Sequence, residues 1–595
     1  MEPPTKKIRT DSGSPEQESK LESPLSTIHD IATLRSVITP PPQSRQVASS
    51  CPDAKNESNV PDTIPTSSTP SSIPPKVIES PIQLSHIRDL PTSKGYNVDT
   101  VRLRDILGDP MIRECWQFNY LHDVDFVMSQ FDEDMRDLIK VKVVHGSWQR
   151  ENATKMRIEE ACARYPNVEP IVAYMPEPFG THHSKIMVLL RHDDLAQVII
   201  HTANMIAQDW TNMTQAVWRS PLLPQKLSSA PARDMPIGSG ARFKRDFLAY
   251  LRAYGPSKTG PLVQELETYD FGAVRGALVA SVPSKQHASE SNSDEGTLWG
   301  WLALKDLMSR IPIKAANKEG KESLKKPHIV TQVRTSPNPT NYTRTTHVTN
   351  NTIQISSVAT LGQTEKWLKE VFFKALSPSS PPSQQPKHSI IFPTPDEIRR
   401  SIDGYTSGAS IHMKTQSAAQ QKQLTYMRPY LCQWAGDGLT NGTCIDISGD
   451  EPPKREAGRA RAAPHIKTYI RFRDEGMESM DWAMISSANL STQAWGAGVN
   501  SGGEVRICSW EIGVVVWPGL FEEEGKGAVM VPTFQKDCPS PSEGEEKGKE
   551  DAASVVVGFR MPYNLPLTPY GASDEPWCAT ASYELPDWRG QRWIV

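Results

Sequence analysis

One pattern occurs twice in this chain: His-x-Lys, then a stretch ending in Ala-Asn, then a Trp six residues beyond the Asn. The first copy is His183-Ser184-Lys185 followed by HTANMIAQDW, with Asn204 and Trp210; the second is His465-Ile466-Lys467 followed by SSANLSTQAW, with Asn489 and Trp495. The His residues are 282 positions apart, and the Asn and Trp pairs are each 285 apart. A chain that repeats one chemical set at matched spacing is constrained to a duplicated fold, with two similar halves meeting at a shared centre. Taken singly, the pieces say little. A lone H-x-K is common, Asn at a strand end is an ordinary turn former, and Trp210 and Trp495 read as core residues of the repeat. Their joint recurrence carries the argument.

At 595 residues the chain exceeds what one hydrophobic core organises, so two domains plus irregular segments are expected. Net charge is −4, which excludes a global basic field and leaves any nucleic-acid contact to a local cleft. The eight Cys lack metal or disulfide spacing, which points to a reducing compartment and argues against structural zinc. No apolar run reaches membrane-spanning length, and MEPPTKKIRTD is not a charged-then-apolar signal, so a soluble intracellular protein is expected.

Residues 1–88 are rich in Ser, Thr, Pro, Gln and Glu and read as a disordered tail. Within it Lys6-Lys7-Ile8-Arg9 has the form of a short nuclear import signal. Residues 89–285 form the first half, with strands VKVVHG, IVAYM, SKIMVLLR and VIIHTA. Residues 286–595 form the second, with strands KTYIRFR and WAMISSA and loop insertions near 377–388 and 538–551. Both Asn residues fall at strand ends.

The residue types suit attack on a phosphodiester. Two Lys ammonium groups and two Asn amides converging on nonbridging oxygens would stabilise a five-coordinate transition state without a metal or other cofactor. One neutral imidazole attacks phosphorus and a second, protonated one donates to the departing oxygen, then serves as base for water. Two imidazoles of ordinary pKa, about 6.5, divide those states near neutrality. Period-two alternation puts the His and Lys of each motif on one face. Gln215, in TQAVW, and Glu511, in SWEIGV, each open an apolar strand and stand as equivalents that fix an imidazole tautomer. Which holds which imidazole is left open. His182 reads as structural, with no third ligand for a metal.

The motifs resemble the phospholipase D superfamily, whose duplicated H-x-K-x4-D builds a shared site. Where that pattern has Asp, this chain has Leu190 and Phe472. The absent Asp, with Asn204 and Asn489 supplied later, resembles the tyrosyl-DNA phosphodiesterase family. QFNY, DVDF, VVHG, FGTHHSK, HTANMI, TQAVW, SSVATLG, PHIKTY, SSANLSTQAWG, SWEIGV and MPYNLP carry the similarity over most of 90–595. The resemblance implies an α/β fold of two pseudo-twofold-related αβαβα sandwich domains with one active site. It implies His183 as nucleophile, His465 as proton donor and acceptor, and Lys185, Lys467, Asn204 and Asn489 as the phosphate clamp. Gln215 and Glu511 resemble the family's His-positioning pair.

The implied substrate is a DNA 3′ end carrying a phosphotyrosyl peptide, the remnant of a trapped topoisomerase I, cleaved through a phosphohistidine to a 3′-phosphate. Phe179 and Tyr120 would contact a base or the peptide, and Ser357, Thr360 and Ser491 the DNA backbone, with little base readout. A monomer without membrane contact is expected, in the nucleus, with cytoplasm and mitochondrion as alternatives and repair-protein partners through the tail. Two other readings compete: a phospholipase D-like nuclease or lipase with a different phosphodiester substrate, and a non-catalytic DNA-end binding protein. The missing Asp and the absence of an amphipathic membrane segment weigh against a lipase. All six His, Lys and Asn residues are intact, which weighs against a binding protein.

Overall fold

The computed structural model describes residues 75–595 except 148, 150–151, 227–233, 290–295, 314–325, 333–360, 379, 381–384, 412, 414, 438–453, 524–526 and 540–554. Two mixed sheets organise it. In the first, the strands run Ile82–Leu84, Ala216–Arg219, Leu195–His201, Ile186–Arg191, Ile112–Phe118, Lys140–His145, Val168–Val172 in spatial order. The first five are mutually antiparallel and the last two pairings are parallel. The second sheet repeats this order and sense with Ala277–Ser281, Glu511–Val516, Met480–Ser486, Thr468–Phe472, His328–Gln332, Lys387–Ile391 and Leu431–Cys432. Seven strands of one half thus map onto seven of the other, and the α/β pseudo-twofold architecture that the resemblance implies is the architecture found.

Alternation along the strands shows how the halves join. Ile186, Val188 and Leu190 point to one face with Val198 and Ile200, while Met187, Leu189 and Ile199 point to the other. In the second sheet Ile470, Phe472, Ala483, Ile485 and Val514 face the same core as Ile186 and its neighbours, whereas Tyr469, Trp482 and Met484 face away. Both sheets are therefore apolar on both faces, which explains runs such as IMVLL and WAMI that hardly alternate in sequence. The shared inner core also takes Phe243, Phe247 and Leu251 from helix Gly240–Arg252 and Leu262 and Leu266 from helix Pro256–Glu267. Trp210 and Trp495 are buried core residues.

Three boundaries differ from the sequence reading. The first half does not end at 285: Ala277–Ser281 is a strand of the second sheet, and Ser284–His287 pairs with Glu504–Ile507. The change of sheet comes before Ala277, and the start of the polar stretch, Ser284–His287, is itself a strand. The tail does not reach 88: Lys76–Ile78 pairs with Val555–Arg560, and Ile82–Leu84 pairs with Ala216–Arg219. Three-residue strands carry too little periodicity to stand out from Pro/Ser-rich composition. The insertion placed at 377–388 ends earlier, because Lys387 and His388 open the strand Lys387–Ile391. Apart from residues 538–539, the insertion at 538–551 lies outside the described residues.

A truncation result follows. Ile82, Leu84 and Ile87 are buried at 1 %, 0 % and 0 % exposure. Each contributes on the order of 1.5–3 kcal/mol by burial. A chain beginning at residue 75 is expected to keep its melting temperature and activity. One beginning at residue 89 should melt lower, by differential scanning fluorimetry, and lose activity with it.

Candidate active site

Each H-x-K segment runs directly into an inner strand, Ile186–Arg191 or Thr468–Phe472. The carbonyls of Lys185 and Lys467 accept backbone N–H groups from His201 and Ser486 at 3.1 and 3.2 Å, so both motifs enter their sheets in the same register. The intervening residue turns the other way: Ser184 meets the Tyr250 hydroxyl of helix Gly240–Arg252, and Ile466 lies in the shared core. His183, Lys185, His465 and Lys467 are buried, and each ammonium donates to the carbonyl of its own motif's His, at 3.1 Å for Lys185 and 2.8 Å for Lys467.

The halves complete one another. The His183 backbone N–H donates to the Trp510 carbonyl and that of His465 to the Thr214 carbonyl, each at 3.0 Å. Those carbonyls precede Glu511 and Gln215, whose side chains reach the imidazoles. His183 Nδ1 lies 3.0 Å from Glu511 Oε2, and His465 Nδ1 lies 3.1 Å from Gln215 Oε1. So the pairing that the sequence left open is crossed. A hydroxyl at the same repeat position supports each one. Thr202 donates to Gln215 Oε1 at 2.8 Å and accepts the Ala216 N–H at 3.0 Å. Ser487 donates to Glu511 Oε2 at 2.5 Å and accepts the Ile512 N–H at 3.0 Å. These acceptors make Nδ1 the N–H of each ring and leave Nε2 for chemistry. Asn204 Nδ2 sits 3.5 Å from His465 Nε2.

Other imidazoles near the centre are set apart by burial. His182 has both nitrogens engaged, by the Asn119 carbonyl and the Tyr254 hydroxyl, and burial pushes it down to about 3. Burial and the Lys185 charge likewise push His201 down to about 3. Both stay neutral at physiological pH. Among the described residues no group of three His, Cys, Asp or Glu side chains could hold a metal ion. Leu190 and Phe472, at the positions of the superfamily Asp, are buried apolar strand residues.

The rim residues have mixed fates. Tyr120 is half-buried with its ring centroid 5.9 Å from that of His183. Phe179 is 52 % exposed and has φ 64°, a left-handed conformation costly for an aromatic residue. The next residue must be Gly180, because a Cβ there would lie 2.1 Å from the Cys508 carbonyl oxygen of the other half. Glu177, paired with Arg506 at 2.5 Å, anchors the same loop. Ser491 caps helix Thr492–Trp495 by accepting the Ala494 N–H at 3.0 Å. Ser357 and Thr360 lie outside the described residues.

Sequence reasoning missed Asp209. It lies in the quoted HTANMIAQDW, on helix Ala207–Thr211, fully buried. Its Oδ2 accepts the Asn204 backbone N–H at 2.7 Å and lies 3.0 Å from His465 Nδ1. Each imidazole therefore has a carboxylate beside it, Glu511 at His183 and Asp209 at His465.

Burial lifts the Glu511 carboxyl from 4.5 to about 7, against the Ser487 hydroxyl and the Lys185 and Lys467 charges, which act to lower it. A carboxyl raised on folding stabilises the fold fully below its unfolded pKa, and that stability is lost as pH rises through the folded value. Urea midpoints should therefore fall between pH about 4.5 and 7 in the native chain through this group. The Glu511→Gln variant should lack that component. Parallel pH dependence in both proteins would show that Glu511 does not titrate there.

The family profile for tyrosyl-DNA phosphodiesterase matches residues 81–571. A relative from Schizosaccharomyces pombe bearing that family name is 30% identical over 576 residues, covering 87% of this chain and 96% of that protein. A tyrosyl-DNA phosphodiesterase 1 from Arabidopsis thaliana is 25% identical over 529 residues, covering 84% and 74%. The crystal structure of the yeast tyrosyl-DNA phosphodiesterase shares the fold, with a TM-score of 0.54 at 18% identity over 85% of this chain and 100% of that one. With the profile spanning most of the chain and the duplicated His, Lys and Asn sets in place, this chain belongs to the tyrosyl-DNA phosphodiesterase family.

Proposed function

We propose that the protein hydrolyses the bond between a tyrosine and a DNA 3′-phosphate through a covalent phosphohistidine, leaving a 3′-phosphate. The observation that carries this reading is the crossed pair of imidazoles, each pinned at Nδ1 by the opposite half and followed two residues on by a buried Lys, with Asn204 Nδ2 3.5 Å from His465 Nε2. His183 Nε2 attacks phosphorus while His465 gives its proton to the leaving phenol. His465 then takes a proton from water as the water oxygen displaces His183. Lys185, Lys467, Asn204 and Asn489 hold the nonbridging oxygens through both steps. A phenol, with pKa about 10, leaves more readily than a sugar alkoxide, which favours tyrosine as the departing group.

Phe179, exposed at the rim, suits stacking against an unpaired base, and Tyr120 lines the approach beside His183. Ser491, whose Oγ accepts the Ala494 N–H, is the hydroxyl assigned to a backbone phosphate. Ser357 and Thr360 complete that assignment by family resemblance. The substrate is the peptide remnant of a trapped topoisomerase I, the setting is DNA repair in the nucleus, and the tail is the place for repair-protein partners. Among the described residues no helix is long and apolar enough to cross a membrane.

The deciding experiment is a gel assay on an oligonucleotide with a 3′-phosphotyrosine in excess EDTA. Cleavage to a 3′-phosphate is expected to persist, because the two Lys ammonium groups supply the charge that a divalent ion supplies elsewhere and the Asn amides add hydrogen-bond donors. Loss in chelator with recovery in magnesium, or cleavage of phosphatidylcholine in place of the oligonucleotide, would overturn the reading.

A further inference from the structure

We propose that Asp209 is a positioning residue that holds His465 as the imidazolium which protonates the leaving group. The inference rests on the phosphodiesterase reading above and adds a group that the repeat itself does not contain. Five residues after Asn204 stands Asp209; five after Asn489 stands Ala494. The two copies match at His, Lys, Asn, at the Thr202/Ser487 hydroxyl and at the Gln215/Glu511 acceptor, and diverge here.

The divergence has a chemical sense. His183 must begin neutral to attack, and Glu511, which meets its Nδ1, belongs to the second half. His465 must begin protonated, yet its equivalent acceptor, Gln215, is a neutral amide that gives no Coulombic preference for the charged ring. Asp209 supplies it at 3.0 Å from Nδ1, with both side chains fully buried, where a charge-charge contact is screened little by water. The Gln215 amide is oriented by Thr202 donating to Oε1 and by its own Nε2 donating to the Asp209 carbonyl at 3.3 Å. Nδ1–H of His465 thus faces two oxygens at once, which fixes the ring with Nε2 toward Asn204. The same Asp209 Oδ2 takes the Asn204 backbone N–H at 2.7 Å, so the clamp amide and the acid share one anchor.

Among the described residues, the charged groups at this centre include Asp209 from helix Ala207–Thr211, 3.0 Å from His465 Nδ1, Lys467 two residues along the same segment as His465, and Lys185 and Glu511, with the two lysine charges both acting on Glu511. The two ammonium groups oppose an imidazolium. Glu511 is committed to His183 and Ser487. Asp209 is the carboxylate that offsets the ammonium charges at His465. Across the reaction it stays ionised: His465 Nε2–H passes to the phenol oxygen as that P–O bond breaks and the P–N bond to His183 forms. The neutral Nε2 then accepts a water proton as the water oxygen bonds phosphorus and the P–N bond breaks.

The test compares two 3′ leaving groups on one oligonucleotide, tyrosine, which needs a proton, and 4-nitrophenol, a far weaker base that does not. Asp209→Asn keeps the shape and an oxygen acceptor. It is expected to slow tyrosine release by at least about tenfold, a part of the roughly 10²–10⁴-fold that a general acid contributes. Release of 4-nitrophenol, read as single-turnover burst, should change by less than about threefold, since that step bypasses the acid. The basic limb of tyrosine release should move to lower pH, because the imidazolium loses its proton sooner without the carboxylate. Equal slowing of both substrates with an unmoved limb would mean a structural role and overturn the inference, as would unchanged rates.

If Asp209→Asn does not fold, the native enzyme decides. Tyrosine release that persists a full pH unit above the ordinary imidazole range of about 6.5 supports the inference, and a basic limb at or below that value overturns it. A native enzyme that cleaves neither substrate fails the phosphodiesterase reading itself, and this inference with it.

Discussion

Replacing His183 by alanine is expected to leave tyrosine attached to the DNA, with no covalent intermediate and no turnover above background. Replacing His465 by asparagine is expected to do something different. The first step proceeds, slowly, because a phenol of pKa about 10 is a tolerable leaving group even without an acid. The second step lacks its base, so DNA linked to His183 accumulates. On a denaturing gel that species should survive boiling in detergent and fall apart in acid, as a phosphoramidate does. The crossed contacts sharpen the expectation, since His183 remains held by Glu511 at 3.0 Å when His465 is changed. Trapping by the His183 variant and not by the His465 variant would reverse the roles.

Removing one clamp ammonium comes next in size. Lys185→Ala or Lys467→Ala is expected to slow turnover by at least about a hundredfold, the scale of losing one transition-state donor, or about 2.7–4 kcal/mol. Both lysines are fully buried and both lower the Glu511 carboxyl, which puts the two charges at one centre although 282 residues separate them. The defect should therefore be alike from either half, and the double variant should fall well short of the product of the two losses, because both act on one phosphate. Folding, followed by circular dichroism, should hold. Near-normal turnover in Lys467→Ala alone would refute a shared site.

What the sequence made legible was whatever the two copies share. The strands around the motifs, Asn204 and Asn489 three residues past their strand ends, and the Gln215/Glu511 equivalence are all found where spacing put them. What one copy lacks stayed hidden. Asp209 has no counterpart in the second copy, where Ala494 stands, and a carboxylate before a Trp carries no signal of its own. The crossing of Glu511 to His183 and Gln215 to His465 depends on how two sheets dock, which no local pattern encodes. Strand Ala277–Ser281 was assigned to the wrong half for a related reason, since chain order and sheet membership part company where one strand is handed across.

Leu190 and Phe472 give the absent superfamily Asp a further meaning. Both side chains point into the core that the two sheets share, at 2 % and 0 % exposure. A carboxylate restored at either place would be stranded among Val188, Ile470 and Ile485 with no water, at a cost of several kcal/mol. It would also pry at the surface that brings the two imidazoles together. The apolar pair therefore acts on chemistry at a distance, by seating one sheet on the other, and Leu190→Asp or Phe472→Asp is expected to lower the melting temperature and to lose activity through that seating, not through any contact with the reacting atoms.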